Sequence, residues 1–439
     1  MEKNLVDIVK EAGVVGAGGA GFPTHVKVNA KAEYIVVNAA ECEPLLRVDQ
    51  QLIAAKGEAM LKGLKAVMQA TGASKVKIAL KEKYGGAVAF LQEKLKNELN
   101  IEMFIMGDFY PAGDEQVMVY ETTGRIVPEG GIPLNVGVIV INVETLINIG
   151  NAMEGQPVTD KYVTVTGWVL KPVTVKVPLG VTFREVIQLA GGPLGDNFAV
   201  MHGGPVMGSI VEDLETPVTK TTKGLVLLPR NHSLITRKNK ELNVILKQAR
   251  SACCNCMQCT EVCPRYLLGH DLRPNQMMQA MSYGPYLGEE ISKAFLCSEC
   301  GVCDLYQCPM GLSPRRVNAM IKQELTKAGI KNKNTKAPEK VRAMREYRRV
   351  PSKRMLARLD LTAYDKPAPL SEELYQPTIV TLPLRQHIGA PAEPRVQVGS
   401  RVERGDLVAT VPENALGANL HASISGTIKE VGSAIVIQA

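Results

Sequence analysis

The sequence predicts an α/β multidomain chain with a helical, cysteine-rich segment and an all-β C-terminal module. Three observations carry that expectation. Helical and strand periodicities alternate over residues 1 to about 150, eight cysteines fall in two tight groups between 253 and 308, and short strands punctuated by glycine turns follow residue 377. At 439 residues the chain exceeds what one hydrophobic core organises, so two to four domains are expected. Hydrophobic residues make up 45% and charged residues 22%, and no apolar run approaches the roughly 18 residues of a membrane span. The N-terminal "MEKNLVDIVKEAG" has no cleavable apolar region, from which a cytoplasmic location is expected.

Taken in order, "NLVDIVKEAG" places Leu5, Ile8, Val9 and Ala12 at i, i+3, i+4 and i+7, the spacing of a helix. "VVGAGGAGFPTHVK" follows, with glycines 16, 18 and 21 in G-x-G-x-x-G spacing. A dinucleotide fingerprint must follow a strand and open a helix. Here a helix precedes the loop and the strand "EYIVVN" at 33 to 38 comes after it. What remains is a glycine-rich turn able to present backbone N–H groups to a phosphate, with Lys27 adding a charge. "GEAMLKGLKAVMQATG" then reads as a helix, and "KVKIAL" and "VGVIVINV" as strands. "YVTVTGWVLKPVTVKVPLGVTFREVIQLAGG" gives two alternating strand runs joined by a turn and then a helix, a β-grasp order.

The cysteines are the strongest signal. Ten of them in a chain expected to be cytosolic point to metal or redox chemistry rather than disulfides. "CCNCMQCTEVCPR" supplies Cys253, Cys256, Cys259 and Cys263 in a C-x2-C-x2-C-x3-C-P run. "CSECGVCDLYQCPM" supplies Cys297, Cys300, Cys303 and Cys308, with four residues before the last cysteine where three are usual. Two-residue gaps let three thiolates wrap one cubane, and the Cys-Pro sends the fourth sulfur to the neighbouring cluster. Two 4Fe–4S clusters follow. Cys253, Cys256, Cys259 and Cys308 would hold one, and Cys297, Cys300, Cys303 and Cys263 the other. The bland alternative is a pair of zinc sites, since C-x2-C pairs serve zinc as well. Cys254 reads as a spare thiol, Cys42 as a small buried residue, and the Met-rich "NQMMQAM" as soft core packing.

The formal charge of +7 is uneven. Residues 331 to 358 hold eleven Lys/Arg against two Glu, so the remainder is slightly acidic. That segment reads as a solvated linker-helix, with an acidic or redox partner as the functional alternative and nucleic acid not expected.

"GAGGAGFPTHVK" and "YIVVNAAECEP" resemble the flavin site of the NADH-oxidising subunit of respiratory complex I and of its relative RnfC, in which the loop and lysine embrace FMN. The resemblance implies that Gly18, Gly19, Gly21, Lys27 and Asn38 contact FMN, with Phe22 and Glu43 facing NADH and Glu41 beside them. Ala17, Ala40 and Cys42 replace the family's arginine, aspartate and second glycine. "YPAGDEQ" is similar to a further family turn, making Tyr110, Gly113, Asp114 and Glu115 candidates around flavin and dinucleotide. "INVETL" adds Asn142 and Thr145 in the same way. No side-chain acid or base is required by the chemistry implied.

The β-grasp order resembles the SLBB module of the same family. The C-terminal "LPLRQHIGAPAEP" stretch looks like a biotinyl/lipoyl-type barrel-sandwich hybrid, which is N-terminal in RnfC. Its hairpin region "GANLHAS" carries no lysine for a swinging arm, so His387 and His421 read as structural or interface residues.

The expected architecture is therefore a Rossmann-like FMN domain over 1–155, a β-grasp SLBB domain and connection over 156–245, and a helical ferredoxin-like domain with two 4Fe–4S clusters over 246–328. A basic linker over 329–376 and an all-β barrel-sandwich hybrid over 377–439 complete it. This order is that of the PduS-type cobalamin reductases, and the resemblance covers nearly the whole chain. It implies electron transfer from NADH through FMN and two clusters to a corrinoid, with an adenosyltransferase and microcompartment shell proteins as further partners. Residues 1–12 would double as an encapsulation signal if they serve targeting as well as folding. The alternative is an RnfC-like electron-transfer or docking subunit of a larger complex.

Overall fold

The structure, a computed structural model, describes residues 4–283 and 289–439. Residues 1–3 of the segment read as an encapsulation signal lie outside the described residues, as do 284–288 of the cysteine-rich segment.

The first layer is an open parallel sheet with helices on it. Helix α1 (Leu5–Glu11) is capped by the Asn4 side chain, and α2 (Thr24–Val28) follows the glycine loop. Strand β1 (Tyr34–Ala39), the long helix α3 (Val48–Thr71), β2 (Lys75–Lys81), α4 (Gly85–Lys94), β3 (Ile101–Met106) and a short β4 (Phe109–Tyr110) come next. Helix α5 (Glu115–Thr123), β5 (Val138–Asn142) and α6 (Val143–Ala152) complete the unit. Its strand order is β3-β2-β1-β5, all parallel. The near-continuous apolar run of β5 fits a strand buried on both faces. Helices α3 and α6 cross at two glycines. A Cβ on Gly63 would lie 2.1 Å from Leu146 O, and one on Gly150 would lie 2.3 Å from Ala59 O, so only bare backbone permits that approach.

A six-stranded mixed sheet follows, five of whose strands are β6 (Asp160–Gly167), β7 (Val173–Pro178), β8 (Phe198–His202), β9 (Ser209–Val211) and β10 (Gly224–Pro229), with helix α7 (Phe183–Leu189) between β7 and β8 in the chain. The β6–β7 hairpin and α7 realise the β-grasp order, and Thr182 with Glu185 forms a capping box that starts the helix. The cysteine-rich segment is helical: α8 (Ser233–Asn239), α9 (Leu242–Ala252), α10 (Gln258–Glu261), α11 (Pro264–Leu267), α12 (Pro274–Tyr283) and α13 (Pro314–Lys327). Met277 and Met278 are buried in its core, as the Met-rich run implied.

The basic segment departs from expectation. Residues 331–344 are mostly exposed and carry no helix or strand, but α14 (Arg345–Arg348), β11 (Val350–Pro351) and α15 (Ser352–Arg358) form a packed strap in place of a solvated helix. Arg345 is 3% exposed, pairs with Glu121, and lies over the Tyr120 ring. Strand β11 pairs with β4, and Met355, Leu356 and Leu359 enter the same core as Leu45, Tyr110 and Cys300. Arg345, Arg348 and Arg349 thus find carboxylate partners within the chain, at Glu121, Glu261 and Glu346, and the apolar residues interleaved with them fix the strap in place. Strand β12 (Leu370–Leu374) then joins the edge of the β-grasp sheet beside β7.

The C-terminal module is all β: β13 (Ile379–Pro383), β14 (Glu393–Pro394), β15 (Arg401–Val402), β16 (Leu407–Thr410), β17 (Leu420–His421), β18 (Gly426–Val431) and β19 (Ala434–Gln438). They form two small sheets, β13-β19-β18-β15 and β14-β16-β17. Among the described residues, no helix is long and apolar enough to cross a membrane.

Candidate functional site

Strand β1 has β2 on one side and β5 on the other, so the strand order reverses between β1 and β5. In an open parallel sheet, ligands sit beyond the carboxyl ends of the strands at such a reversal. Here those ends carry Asn38 and Asn142, which are direct register partners. The glycine loop arches over the same place. Ala17 N donates to Thr145 Oγ1 (2.9 Å), Gly16 N donates to Phe22 O (2.9 Å), and Gly18 lies against the Asn142 side chain. Gly18, Gly19 and Ala20 are exposed, and no atom lies within 4 Å of the position a Cβ would take on Gly19.

Side chains complete the crevice. Asn38 Nδ2 donates to Gly113 O (3.0 Å), which draws the start of α5 to the end of β1. Asn142 caps α6 by accepting from Glu144 N, and its Nδ2 donates to Asp49 Oδ2 (2.9 Å). Lys27 Nζ donates to Val140 O (2.8 Å) and stands 3.4 Å from Glu115 Oε1, both side chains remaining partly exposed. The structure therefore gathers Gly18, Gly19, Phe22, Lys27, Asn38, Gly113, Glu115, Asn142 and Thr145. Exposed backbone N–H groups, bare glycine and an adjacent ammonium at a switch point fit a phosphate-bearing flavin.

Other candidates serve elsewhere. Glu41 accepts from Val48 N (2.6 Å) and Asp49 N (3.1 Å), holding the start of α3. The Glu43 carboxylate accepts from Val206 N and Met207 N (both 2.9 Å) in the loop after β8. Burial pushes both carboxyls above the usual carboxylate range. Asp114 caps α5 through Gln116 N and Val117 N while pairing with Arg265 (2.6 Å), two residues after Cys263. Tyr110 is buried, and its hydroxyl donates to Cys300 O (2.6 Å). Burial likewise lifts the Cys42 thiol to about 11, so it stands as an inert packing thiol. Glu43, Asp114 and Tyr110 thus bind the crevice unit to the neighbouring modules. Arg265 was not singled out from sequence, and its only local signal is the Cys-Pro-Arg order.

The cysteines converge in two sets. Cys253, Cys256, Cys259 and Cys308 line one cavity with Met278 and Leu312. Cys303 lies where it feels the charges of Cys297, Cys300 and Cys263. Both sets are the crossed groupings that the spacing implied. The four-residue gap before Cys308 is taken up by a π-helical turn over Val302–Gln307, which accommodates one more residue than an α-turn. Burial lifts the Cys259 and Cys300 thiols to about 12, so these loops hold neutral thiols until metal binding drives the protons off. Among the described residues, no three Cys, His, Asp or Glu side chains close on a point as they would around one metal ion.

Family models match the chain in the same order as these parts. The Nuo51 FMN-binding domain matches residues 9–151, the SLBB domain 162–209, the 4Fe-4S dicluster domain 252–313 and the RnfC barrel sandwich hybrid domain 366–439. The cobalamin reductase PduS of Citrobacter freundii is 46% identical over 425 residues, covering 96% of this chain and 93% of the relative. The chain belongs to the PduS cobalamin reductase family. PduS of Salmonella typhimurium is also 46% identical, with the same coverage of both chains. A subunit of the Na(+)-translocating ferredoxin:NAD(+) oxidoreductase complex of Acetobacterium woodii is 35% identical over 59% of this chain and 57% of its own. FMN and two 4Fe–4S clusters are the cofactors of this family member.

Proposed function

We propose that this chain is an NADH-dependent cobalamin reductase, passing electrons from NADH by way of FMN and two 4Fe–4S clusters to a corrinoid. The likeness to two cobalamin reductases over 96% of the chain carries this reading. Bound FMN supplies the conversion of a two-electron hydride donor into single-electron transfers, and the clusters carry single electrons onward.

The chain's own residues supply position. The amides of the glycine loop and Lys27 hold the flavin phosphate, Asn38 and Asn142 fix the floor of the crevice, and Phe22 flanks the nicotinamide. Tyr110 and Arg265 clamp the crevice to the Cys263 and Cys300 loops through their contacts with Cys300 O and Asp114. The eight cysteines hold the clusters, and no side chain has to move a proton. The protein works in the cytoplasm within a microcompartment, handing reduced corrinoid to an adenosyltransferase among shell proteins.

The likeness to the Acetobacterium protein supports a second reading, an electron-transfer subunit docked into a larger complex. Anaerobically purified protein separates the two. Iron, sulfide and flavin in place of zinc, bleaching of the cluster absorbance by NADH, and NADH-driven reduction of cob(III)alamin are expected. A fully loaded protein that leaves cobalt untouched would overturn the first reading.

A further inference from the structure

Lys220 lies 2% exposed in the turn before β10, and among the described residues no carboxylate offsets its charge. A buried ammonium without an anionic partner is costly, so its hydrogen bonds need a reason. Lys220 Nζ donates to Gly13 O (2.7 Å), at the base of the glycine loop, and to Asn419 O (2.6 Å) in the C-terminal module. Its backbone N donates to Gln386 Oε1 (3.1 Å), and the Thr221 hydroxyl donates to Gln386 O (3.3 Å), so the turns 219–222 and 386–388 interlock.

Both turns press on the glycine loop from behind. Ile388 N donates to Ala20 O (3.1 Å). Gly21 has φ +75°, and a Cβ there would lie 2.6 Å from His387 Cβ and 2.7 Å from Thr221 Cγ2. A loop made of glycine and alanine has no side chains with which to anchor itself. Thr145 and Asn142 hold its front, while its rear rests on residues some 200 and 370 positions away in the sequence.

We propose that Lys220 and the turn 386–388 are positioning elements for the flavin. They hold residues 16–21 in the conformation that receives the phosphate, which makes the C-terminal module a fixed rear wall of the flavin site rather than a mobile carrier. This rests on the FMN reading above, and the test separates the two.

Full-length, cluster-loaded protein is stripped of flavin under anaerobic conditions and titrated with FMN by fluorescence quenching. Lys220→Met removes the ammonium at similar size and should raise the FMN Kd about tenfold with iron and sulfide unchanged. Amide exchange at residues 13–22 should quicken in the same variant. An unchanged Kd overturns the inference, and so does a lowered melting temperature or cluster content with FMN affinity intact. Wild-type protein that takes up no FMN would instead defeat the flavin reading. If Lys220→Met does not fold, wild-type exchange decides. FMN-induced protection reaching 219–222 and 386–388 supports the wall, and protection confined to residues 9–151 overturns it.

Discussion

The two cysteine loops share C-x2-C-x2-C spacing yet sit in opposite surroundings. Around Cys253–Cys259 the chain is open: Cys254 and Cys256 are exposed, and Met257 and Met310 at the cavity rim are 39% and 51% exposed. Around Cys297–Cys303 it is closed: Cys300 and Cys303 are buried, and Tyr110, Val206 and Met355 from three other modules share a core with Cys300. Spacing selects the kind of cluster, while packing decides which one meets solvent and which is sealed inside the junction. The sealed loop is tied to the flavin unit through Tyr110, while Arg265, after Cys263 at the end of the other run, pairs with Asp114.

Substitution of one ligand in each loop tests that contrast most strongly. Cys300→Ser and Cys256→Ser should each remove about half of the bound iron. Only Cys300→Ser should also destabilise the fold by several kcal/mol, on the order of 4, because its loop is part of the shared core. Equal melting temperatures for the two variants would show that the contrast is superficial. Next in size is Arg265→Met, which leaves Asp114 with amide donors and no cation. A loss of about 3 kcal/mol in urea unfolding is expected, with faster exchange in α5.

Tyr110→Phe removes one hydrogen bond to Cys300 O and should cost about 1 kcal/mol. It should slow NADH-driven bleaching of the clusters while leaving FMN affinity alone. A pH-dependent effect concerns Lys238, which donates to Val206 O and Gly208 O beside the sealed loop and is pushed down to about 8 by burial. A lysine lowered in the folded state carries its full penalty below pH 8, and the penalty shrinks as pH rises toward the ordinary value near 10.4. Wild-type stability should therefore rise relative to Lys238→Met between pH 8 and 10, and parallel unfolding curves would remove the buried-environment argument.

The order of modules, both cysteine groupings and the helix–loop–strand character of the glycine run were legible because each depends on local spacing. The strap was not. Its charge dominates its composition, while Met355, Leu356 and Leu359 find their burial only against residues from distant modules. The roles of Glu43 and Asp114 were hidden for the same reason, since their partners Val206, Met207 and Arg265 lie some 150 or more positions away.

The sequence by itself determined the chemistry available: eight thiols at cubane spacing and a side-chain-free loop that offers amides to a phosphate. Tertiary structure alone decided which carboxylates lock modules together, which cluster loop is sealed, and what stands behind the glycine loop. Ligand type follows from short-range covalent spacing, whereas burial and hydrogen-bond partners follow from contacts between segments that only the folded chain brings together.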